Sequence, residues 1–203
     1  MKSLSINKLE QLKNNIYIKH ISSMVDDLKE ERIGIHISDL VHKCLRQAYL
    51  RIINRDRQIN DNEQEITTKW IGKKLHQQQL TDKHEFKVEY REVKGSVDEI
   101  LETDYDICII DRKTTRNVPL SPYEAHTEQE KYYTFMYAFQ EKKLYKKLFY
   151  STIYLDVSGC KATIYVYPLD NIMEVKKELD DKINILEPSL KSKIIPPSLR
   201  SNE

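Results

Sequence analysis

The chain has 203 residues, 33 basic against 32 acidic side chains, and three cysteines. This length is enough for one large domain with a buried core. The near-neutral charge neither indicates nor excludes nucleic acid, because a basic groove can lie within a neutral total. No apolar run approaches the roughly 20 residues of a membrane span, and the first residues lack the hydrophobic core of a secretory signal. An odd number of widely spaced cysteines argues against a disulfide framework, so we expect a cytoplasmic protein.

Apolar residues at helical spacing predict three helices in the N-terminal part of the chain. The first covers residues 5–32. The second takes Ser38 as its N-cap and covers 39–54, and the third covers 65–80. These helices predict a helical lobe ahead of the rest of the molecule.

The periodicity then changes to that of a sheet, since apolar and polar residues alternate from Phe86 to Arg91. The continuous apolar run 107–110 predicts a central strand that is buried on both faces. The remaining predicted elements are strands over 93–101 and 107–113, a helix over 124–147, a hairpin of strands over 149–157 and 161–168, and a helix over 171–186.

The order of these elements predicts an α+β fold, with a mixed central sheet flanked by helices. We expect one domain over 1–203. Within it, the helical N-terminal lobe covers 1–64, the core covers 65–190 and a tail covers 191–203.

Two neighbouring predicted strands carry acidic residues at adjacent positions. Asp98 lies at the end of one strand after Gly95, and Asp111 lies on the next strand. Side chains alternate along a strand, so Asp111 and Lys113 point to one face and Arg112 points to the other. Two carboxylates and an ammonium that converge are costly to bury unless a cation or a phosphate lies between them.

This arrangement suits metal-dependent hydrolysis of a phosphodiester. Hard cations such as Mg²⁺ prefer carboxylate oxygens, so Asp98 and Asp111 are candidate ligands and the backbone carbonyl of Arg112 is a candidate third oxygen. Lys113 can stabilise the attacking hydroxide or the phosphoryl oxygens. An imidazole from His76, on the third predicted helix, could complete the ligand shell, and it would favour Mn²⁺ as well as Mg²⁺.

A polar stripe follows on the predicted helix over 124–147. Gln129 and Tyr133 lie at positions i and i+4 of one helical face, where an amide and a phenol could contact phosphates and stack on bases. Arg46 and Arg51 offer a further edge for phosphate contact.

Each of these residues also has an ordinary structural interpretation. An isolated Asp-x-Lys is usually a surface ion pair, and a lone helical histidine such as His76 usually caps, packs or faces water. Tyr133 belongs to an aromatic helix and could be part of the core. Arg46 and Arg51 could form a solvated face.

Four motifs together resemble one nuclease family. Gly72-x-x-x-His76, Gly95-x-x-Asp98, Asp111-x-Lys113 and Gln129-x-x-x-Tyr133 occur in the order, and at roughly the spacings, of the RecB-like branch of the PD-(D/E)XK nucleases. Within that branch the chain looks most like the CRISPR-associated adaptation nuclease family and its relatives in archaeal viruses. The resemblance covers about residues 36–197, and residues 36–51 resemble the segment that opens the family's catalytic region.

The resemblance implies a restriction-endonuclease-like core and a DNA nuclease that depends on Mg²⁺ or Mn²⁺. His76, Asp98 and Asp111 would be metal ligands, and Lys113 the catalytic lysine. Gln129 and Tyr133 would position DNA or brace the site. Single-stranded DNA or DNA ends are the substrates that the resemblance favours.

The chain departs from the family at its cysteines. Many members bind an iron–sulfur cluster through one early cysteine and three near the C-terminus. Cys44 occupies the early position, whereas the tail over 193–203 has none, and Cys108 and Cys160 lie elsewhere. Since such clusters usually take four thiolates, no iron–sulfur cluster is predicted.

Two alternatives stay open at this point. The same core could serve a structure-selective endonuclease of the junction-resolvase type. It could also be a DNA-binding module without catalytic activity, although the complete set of Asp98, Asp111 and Lys113 argues against a decayed site. The sequence leaves the oligomeric state open, homo-oligomers included.

Overall fold

The computed structural model describes residues 6–28, 32–41, 44–55, 62–76, 81–156, 158–159 and 161–197, apart from the side chains of residues 6–9, 12 and 76. The chain forms two compact units. One contains residues 1–31 and 58–78, and the other contains 32–57 and 79–203. None of the described helices combines the length and the apolar composition that a bilayer crossing requires.

The described residues contain six helices and six strands. The helices are α1 (Ile6–Leu28), α2 (Ile37–Leu40), α3 (Leu45–Ile53), α4 (Glu63–His76), α5 (Glu124–Gln140) and α6 (Ile172–Ser192). The strands are β1 (Ile35–His36), β2 (His84–Tyr90), β3 (Val93–Glu102), β4 (Asp106–Thr115), β5 (Lys147–Asp156) and β6 (Lys161–Pro168).

The first unit is built from α1 and α4, which pack on each other. Lys74 lies 2.8 Å from Asp27 and also lies over the ring of Trp70. Lys73 donates to the backbone carbonyl of Asp27, close to the end of α1. These contacts join the C-terminal half of α1 to the C-terminal half of α4.

The second unit is built around a six-stranded mixed sheet. Its strand order is β1-β3-β4-β5-β6, and β2 also pairs with β3. The neighbours β2/β3, β3/β4 and β5/β6 are antiparallel, whereas β1/β3 and β4/β5 are parallel. Parallel neighbours need a long crossover, and α5 provides it between β4 and β5. The α+β class predicted from the element order is confirmed.

The ladder between β3 and β4 is short, and its end is important for the site. It pairs Glu102 with Ile107 at one end and Glu99 with Ile110 at the other, where it stops. On its other side, β4 continues to pair with β5 as far as Thr115. The two central strands therefore stop pairing with each other immediately before Asp98 and Asp111.

Helix α5 packs its apolar side on the sheet. The ring of Tyr137, on α5, meets the ring of Phe86 edge-on, and the ring of Phe135 meets that of Tyr90 in the same way. Helix α6 packs on α5 and α3 through buried residues such as Leu179 and Ile183. Edge-to-face aromatic pairs add about 0.5–1.5 kcal/mol each beyond their burial, so this layer holds α5 firmly over the strands.

The burial of β4 and the bounds of two helices differ from the predictions. The run 107–110 is fully buried at Ile107 and Ile109 but only half-buried at Cys108 and Ile110, because α5 covers one face of β4. The predicted helix 39–54 is split, since α2 ends at Leu40 and α3 begins at Leu45, and His36 rather than Ser38 caps α2.

The predicted helix 124–147 ends early, at Gln140. The chain leaves it through a residue with a left-handed backbone, Lys142, whose φ is 56°. The backbone N–H of Lys147 then donates to the carbonyl of Tyr105, which starts β5 alongside β4. Helix propensity over 141–147 is therefore overridden by pairing in the sheet.

The two units divide the chain differently from the predicted boundaries. Residues 32–57, predicted to lie in the N-terminal lobe 1–64, group with the sheet, and residues 58–78, most of them predicted to lie in the core 65–190, group with α1. The apolar sides of α2 and α3 explain the first difference, because Leu40, Leu45 and Ala48 are buried in the core of the second unit.

Candidate active site at the end of the β3–β4 ladder

Where β3 and β4 stop pairing through their backbones, the side chain of Asp98 replaces the next backbone hydrogen bond. Its Oδ2 accepts a hydrogen bond of 2.8 Å from the backbone N–H of Arg112. The carboxylate thus satisfies a strand amide that would otherwise lose its partner. This bond fixes Asp98 of one strand beside residues 111–113 of the next.

Asp111 lies on the face of β4 that α5 covers, and it is 3% exposed. Its Oδ2 lies 2.8 Å from Nζ of Lys113, two residues along the same face. Burial disfavours the charged form of Lys113, but attraction and hydrogen bonding from Asp111, with a smaller contribution from Asp98, raise its pKa above the usual value. Lys113 is therefore a cation at neutral pH, and it partly neutralises two carboxylates.

Gln129 and Tyr133, on α5, hold Lys113 from above the sheet. The Gln129 side chain accepts from Lys113 Nζ at 3.3 Å and donates to the Tyr133 hydroxyl at 2.9 Å. Tyr133 is 6% exposed, and its ring lies against Gly95. Burial, followed by the nearby Asp111, raises the pKa of Tyr133 to about 12, so its hydroxyl stays protonated. In this geometry Gln129 links the ammonium group of Lys113 to the Tyr133 hydroxyl.

Arg112 points to the opposite face of β4, as its position between Asp111 and Lys113 predicted. Its guanidinium lies 3.1 Å from Glu99, and both side chains are buried. Thr81 donates to Glu99 from its backbone N–H and from its hydroxyl. Since the N–H and C=O of a strand residue point to the same side, the Arg112 carbonyl faces β3 and Asp98, where it was predicted to act as a ligand.

The other predicted residues lie on other elements. His76 is the last residue of α4 in the first unit, and its side chain lies outside the described residues. Arg46 and Arg51 are exposed on α3, which packs on α2 and α6. The free cysteines Cys44 and Cys108 are half-buried, and Cys160 lies outside the described residues.

The motifs do not single out Glu130, which lies in the middle of α5 and is 0% exposed. Its Oε1 accepts from the hydroxyl of Thr152, the residue of β5 that is in register with Asp111. Burial, followed by the negative charges of Asp111 and Asp98, raises the pKa of Glu130 to about 8 against the opposing effect of the Thr152 hydrogen bond. A detectable signal existed, because Glu130 lies three and seven residues before the apolar-face residues Tyr133 and Tyr137.

The motifs do not single out His126 either. Its Nδ1 lies 2.8 Å from the Tyr154 hydroxyl, which accepts from the backbone N–H of Tyr123. Burial, followed by the positive charge of Lys113, lowers the pKa of His126 to about 4. The imidazole is therefore neutral at physiological pH, and no local sequence pattern indicated that it would lie near Lys113.

The ligand types at this site suit a hard divalent cation, but the side chains are not yet grouped around a common point. Asp98 and Asp111 supply carboxylate oxygens, the class that Mg²⁺ prefers. Among the described residues, no three side chains of His, Cys, Asp or Glu are already grouped as a metal site. One buried oxygen, Glu130 Oε2, has no hydrogen-bond partner within that part of the chain.

Comparison with solved structures supports the fold. The chain is similar to the crystal structure of SSO0001, with 16% sequence identity, a TM-score of 0.52, and coverage of 83% of this chain and 86% of the other. No protein-family model matches the chain. No curated protein sequence matches it either. At this identity the similarity concerns the arrangement of helices and strands.

Proposed function

We propose that this protein is a deoxyribonuclease that depends on Mg²⁺ or Mn²⁺ and hydrolyses phosphodiester bonds, preferentially in single-stranded DNA or at DNA ends. The observation that carries the proposal is the convergence of Asp98, Asp111 and Lys113 at the end of the β3–β4 ladder. The resemblance of the four motifs to RecB-like nucleases supports the choice of DNA as substrate. We place the protein in the cytoplasm, because the free cysteines Cys44 and Cys108 suit a reducing compartment.

Each residue has a role that follows from its position. Asp98, Asp111 and the Arg112 carbonyl would hold the cation, and the ligand role that the motifs suggest for His76 stays a prediction. A bound Mg²⁺ or Mn²⁺ supplies charge neutralisation at the phosphate and acidity to a water molecule. Lys113 would contact a phosphoryl oxygen, and Gln129 keeps its ammonium directed toward the carboxylates.

Burial strengthens these interactions. Asp111 and Tyr133 are almost fully buried, so charges near them are poorly screened by water. An ammonium placed beside a phosphate in such surroundings stabilises the charge that develops during hydrolysis, and removing one stabilising group of this kind typically costs about 10²–10³-fold in rate.

The test is cleavage of end-labelled DNA by the purified full chain, in Mg²⁺, in Mn²⁺ and in a chelator. Single strands, duplexes and four-way junctions of matched sequence are compared. We expect cation-dependent cleavage of the single strand. Cleavage of the junction alone would support a resolvase instead, and DNA binding without cleavage under any cation would support a binding module.

The variant D111N removes one negative charge and keeps the size of the side chain. We expect at least about a hundredfold loss of cleavage with native folding by circular dichroism. The matched control is D181N, which changes an exposed aspartate of α6 and should keep the wild-type rate. Wild-type cleavage by D111N would refute the assignment.

A further inference from the structure

We propose that Glu130 is a third carboxylate ligand of the divalent-cation site, an inference that rests on the proposed function for the existence of that site. Neither the motif pattern nor the fold assigns a role to this residue. The argument rests on where α5 places it, on its orphaned oxygen and on the balance of charge around Asp111.

Helix α5 directs Glu130 to the sheet rather than to solvent. Glu130 shares a helical face with Tyr133, Thr134 and Tyr137, at spacings of three, four and seven residues, and all four side chains are buried. Aromatic and apolar side chains would satisfy that face without penalty. A carboxyl group there is costly unless something neutralises it or binds it.

The bonding of Glu130 leaves half of the carboxyl group available. Oε1 accepts from the Thr152 hydroxyl. Oε2 is buried and has no hydrogen-bond partner among the described residues. Thr152 is in register with Asp111 on the neighbouring strand, so the two side chains lie on the same face of the sheet. The orphaned oxygen is therefore held one strand away from Asp111.

The charges around this point favour a divalent cation. Asp98, Asp111 and Glu130 can carry three negative charges, Lys113 supplies one positive charge, and Arg112 is paired with Glu99 on the other face. A divalent cation would balance the remaining two charges. Carboxylate oxygens from three elements, β3, β4 and α5, would then surround it, and this is the ligand type that Mg²⁺ and Mn²⁺ prefer.

Binding of Mn²⁺ to the metal-free full chain tests the proposal by titration calorimetry, without reference to cleavage. E130Q keeps the acceptor for Thr152 and the size of the side chain but removes the charge. We expect at least about tenfold weaker Mn²⁺ binding and a smaller rise in Tm on addition of Mn²⁺. The matched control E128Q changes a glutamate of the same helix that bonds to Tyr132 and Lys182, and it should bind Mn²⁺ as the wild type does.

A second measurement uses the wild-type chain and does not depend on the folding of a variant. Anomalous diffraction from crystals grown with Mn²⁺ should place the ion within coordination distance of oxygens from Asp98, Asp111 and Glu130. An ion bound by the two aspartates with Glu130 still bonded to Thr152 alone would overturn the proposal, and so would wild-type affinity in folded E130Q. If the wild type cleaves DNA in either case, the proposed function survives. If the wild type binds Mn²⁺ through Glu130 but cleaves no DNA, the ligand assignment survives and the nuclease assignment fails.

Discussion

At the scale of single residues, the site depends on how closely helix α5 approaches strand β3. Gly95 leaves room for the Tyr133 ring, since a Cβ built at this position would lie 2.4 Å from that ring and 3.3 Å from Val88. Tyr133 in turn holds Gln129, which holds Lys113. The glycine of the Gly95-x-x-Asp98 motif therefore acts at a distance, by allowing the bracing residues to reach the lysine.

The first prediction concerns Gly95. In G95A the new methyl group must displace the Tyr133 ring, so we expect a loss of about 1–3 kcal/mol in the free energy of unfolding, measured by urea denaturation. The control is a double-mutant cycle with Y133A, which removes the ring. The further loss from G95A in that background should be close to zero, and an undiminished loss there would show that the strain lies elsewhere.

The second prediction concerns the titration of His126. Burial and the Lys113 charge lower the pKa of His126 to about 4, so its ring should stay neutral from pH about 5 upward. Nitrogen-detected NMR of the ring should show this titration directly. K113M removes the ammonium charge, so the pKa of His126 should rise toward its usual value but stay below it, because the ring is still buried. An unchanged pKa in K113M would place the ammonium too far away to matter.

At the scale of elements, Glu102 joins four segments at the end of the sheet away from the site. The ammonium groups of Lys83, Lys143 and Lys146 lie 2.5, 2.9 and 2.8 Å from its carboxylate oxygens, and the Tyr137 hydroxyl donates to it at 2.8 Å. These residues lie in the segment before β2, in the turn after α5, immediately before β5 and in α5 itself. One carboxylate thus fixes where α5 ends and where β5 begins.

The third prediction concerns this lysine cluster. Burial opposes ionisation of Glu102, but the hydrogen bonds from Lys146, Lys83 and Lys143 outweigh it and lower its pKa. E102Q should cost about 1–3 kcal/mol at neutral pH, since three ammonium groups lose their shared counter-ion while partly exposed to water. The lowered pKa of Glu102 also fixes how this contribution to stability changes with pH. This stability is present above the unfolded-state pKa of about 4.3 and is lost as the pH falls below it.

Urea denaturation of E102Q and the wild type at neutral pH and at pH about 3 measures this difference. The difference should be largest at neutral pH and should shrink in acid. E141Q is the matched control, because Glu141 lies in the same turn, 3.7 Å from Lys143, and a pair at this longer distance, partly exposed to water, should contribute little. Equal losses in the two variants would contradict the special role of Glu102.

At the scale of the whole molecule, the buried acid of α5 affects global stability. Burial raises the pKa of Glu130 to about 8, whereas an unfolded chain gives glutamate a pKa of about 4.3. Between these values the folded state holds a proton that the unfolded state has released. The stability contributed by Glu130 is therefore complete below pH about 4 and declines as the pH rises to about 8.

The fourth prediction is a pH profile of unfolding in a chelator, so that no cation binds. Over this window, Glu130 should lower the free energy of unfolding of the wild type by up to about 1.4 kcal/mol per pH unit. E130Q cannot ionise there and should lose that slope, so it should gain stability over the wild type at pH about 8. A wild-type slope in E130Q would show that Glu130 is already ionised in the folded protein.

Local patterns determined much of this protein. Period-two alternation predicted β2, the run 107–110 predicted β4, and the order of elements predicted a mixed sheet flanked by helices. The same alternation placed Asp111 with Lys113 and turned Arg112 away, because the pleat of a strand fixes the side of each residue regardless of distant partners. The ends of elements were less predictable, since α5 stops at Gln140 and β5 starts where Lys147 pairs with Tyr105, a contact that bridges 42 residues of sequence.

Only the tertiary structure decided which charges are buried together. Glu130 faces Thr152, Glu102 gathers three lysines, and His126 lies near the Lys113 charge, although none of these partners is adjacent in sequence. Alternation and helical period fix the face on which a side chain lies, but not what packs against that face. The energy of a buried charge depends on those neighbours, so the sequence determined the frame of the site and the packing of α5 on the sheet determined its electrostatics.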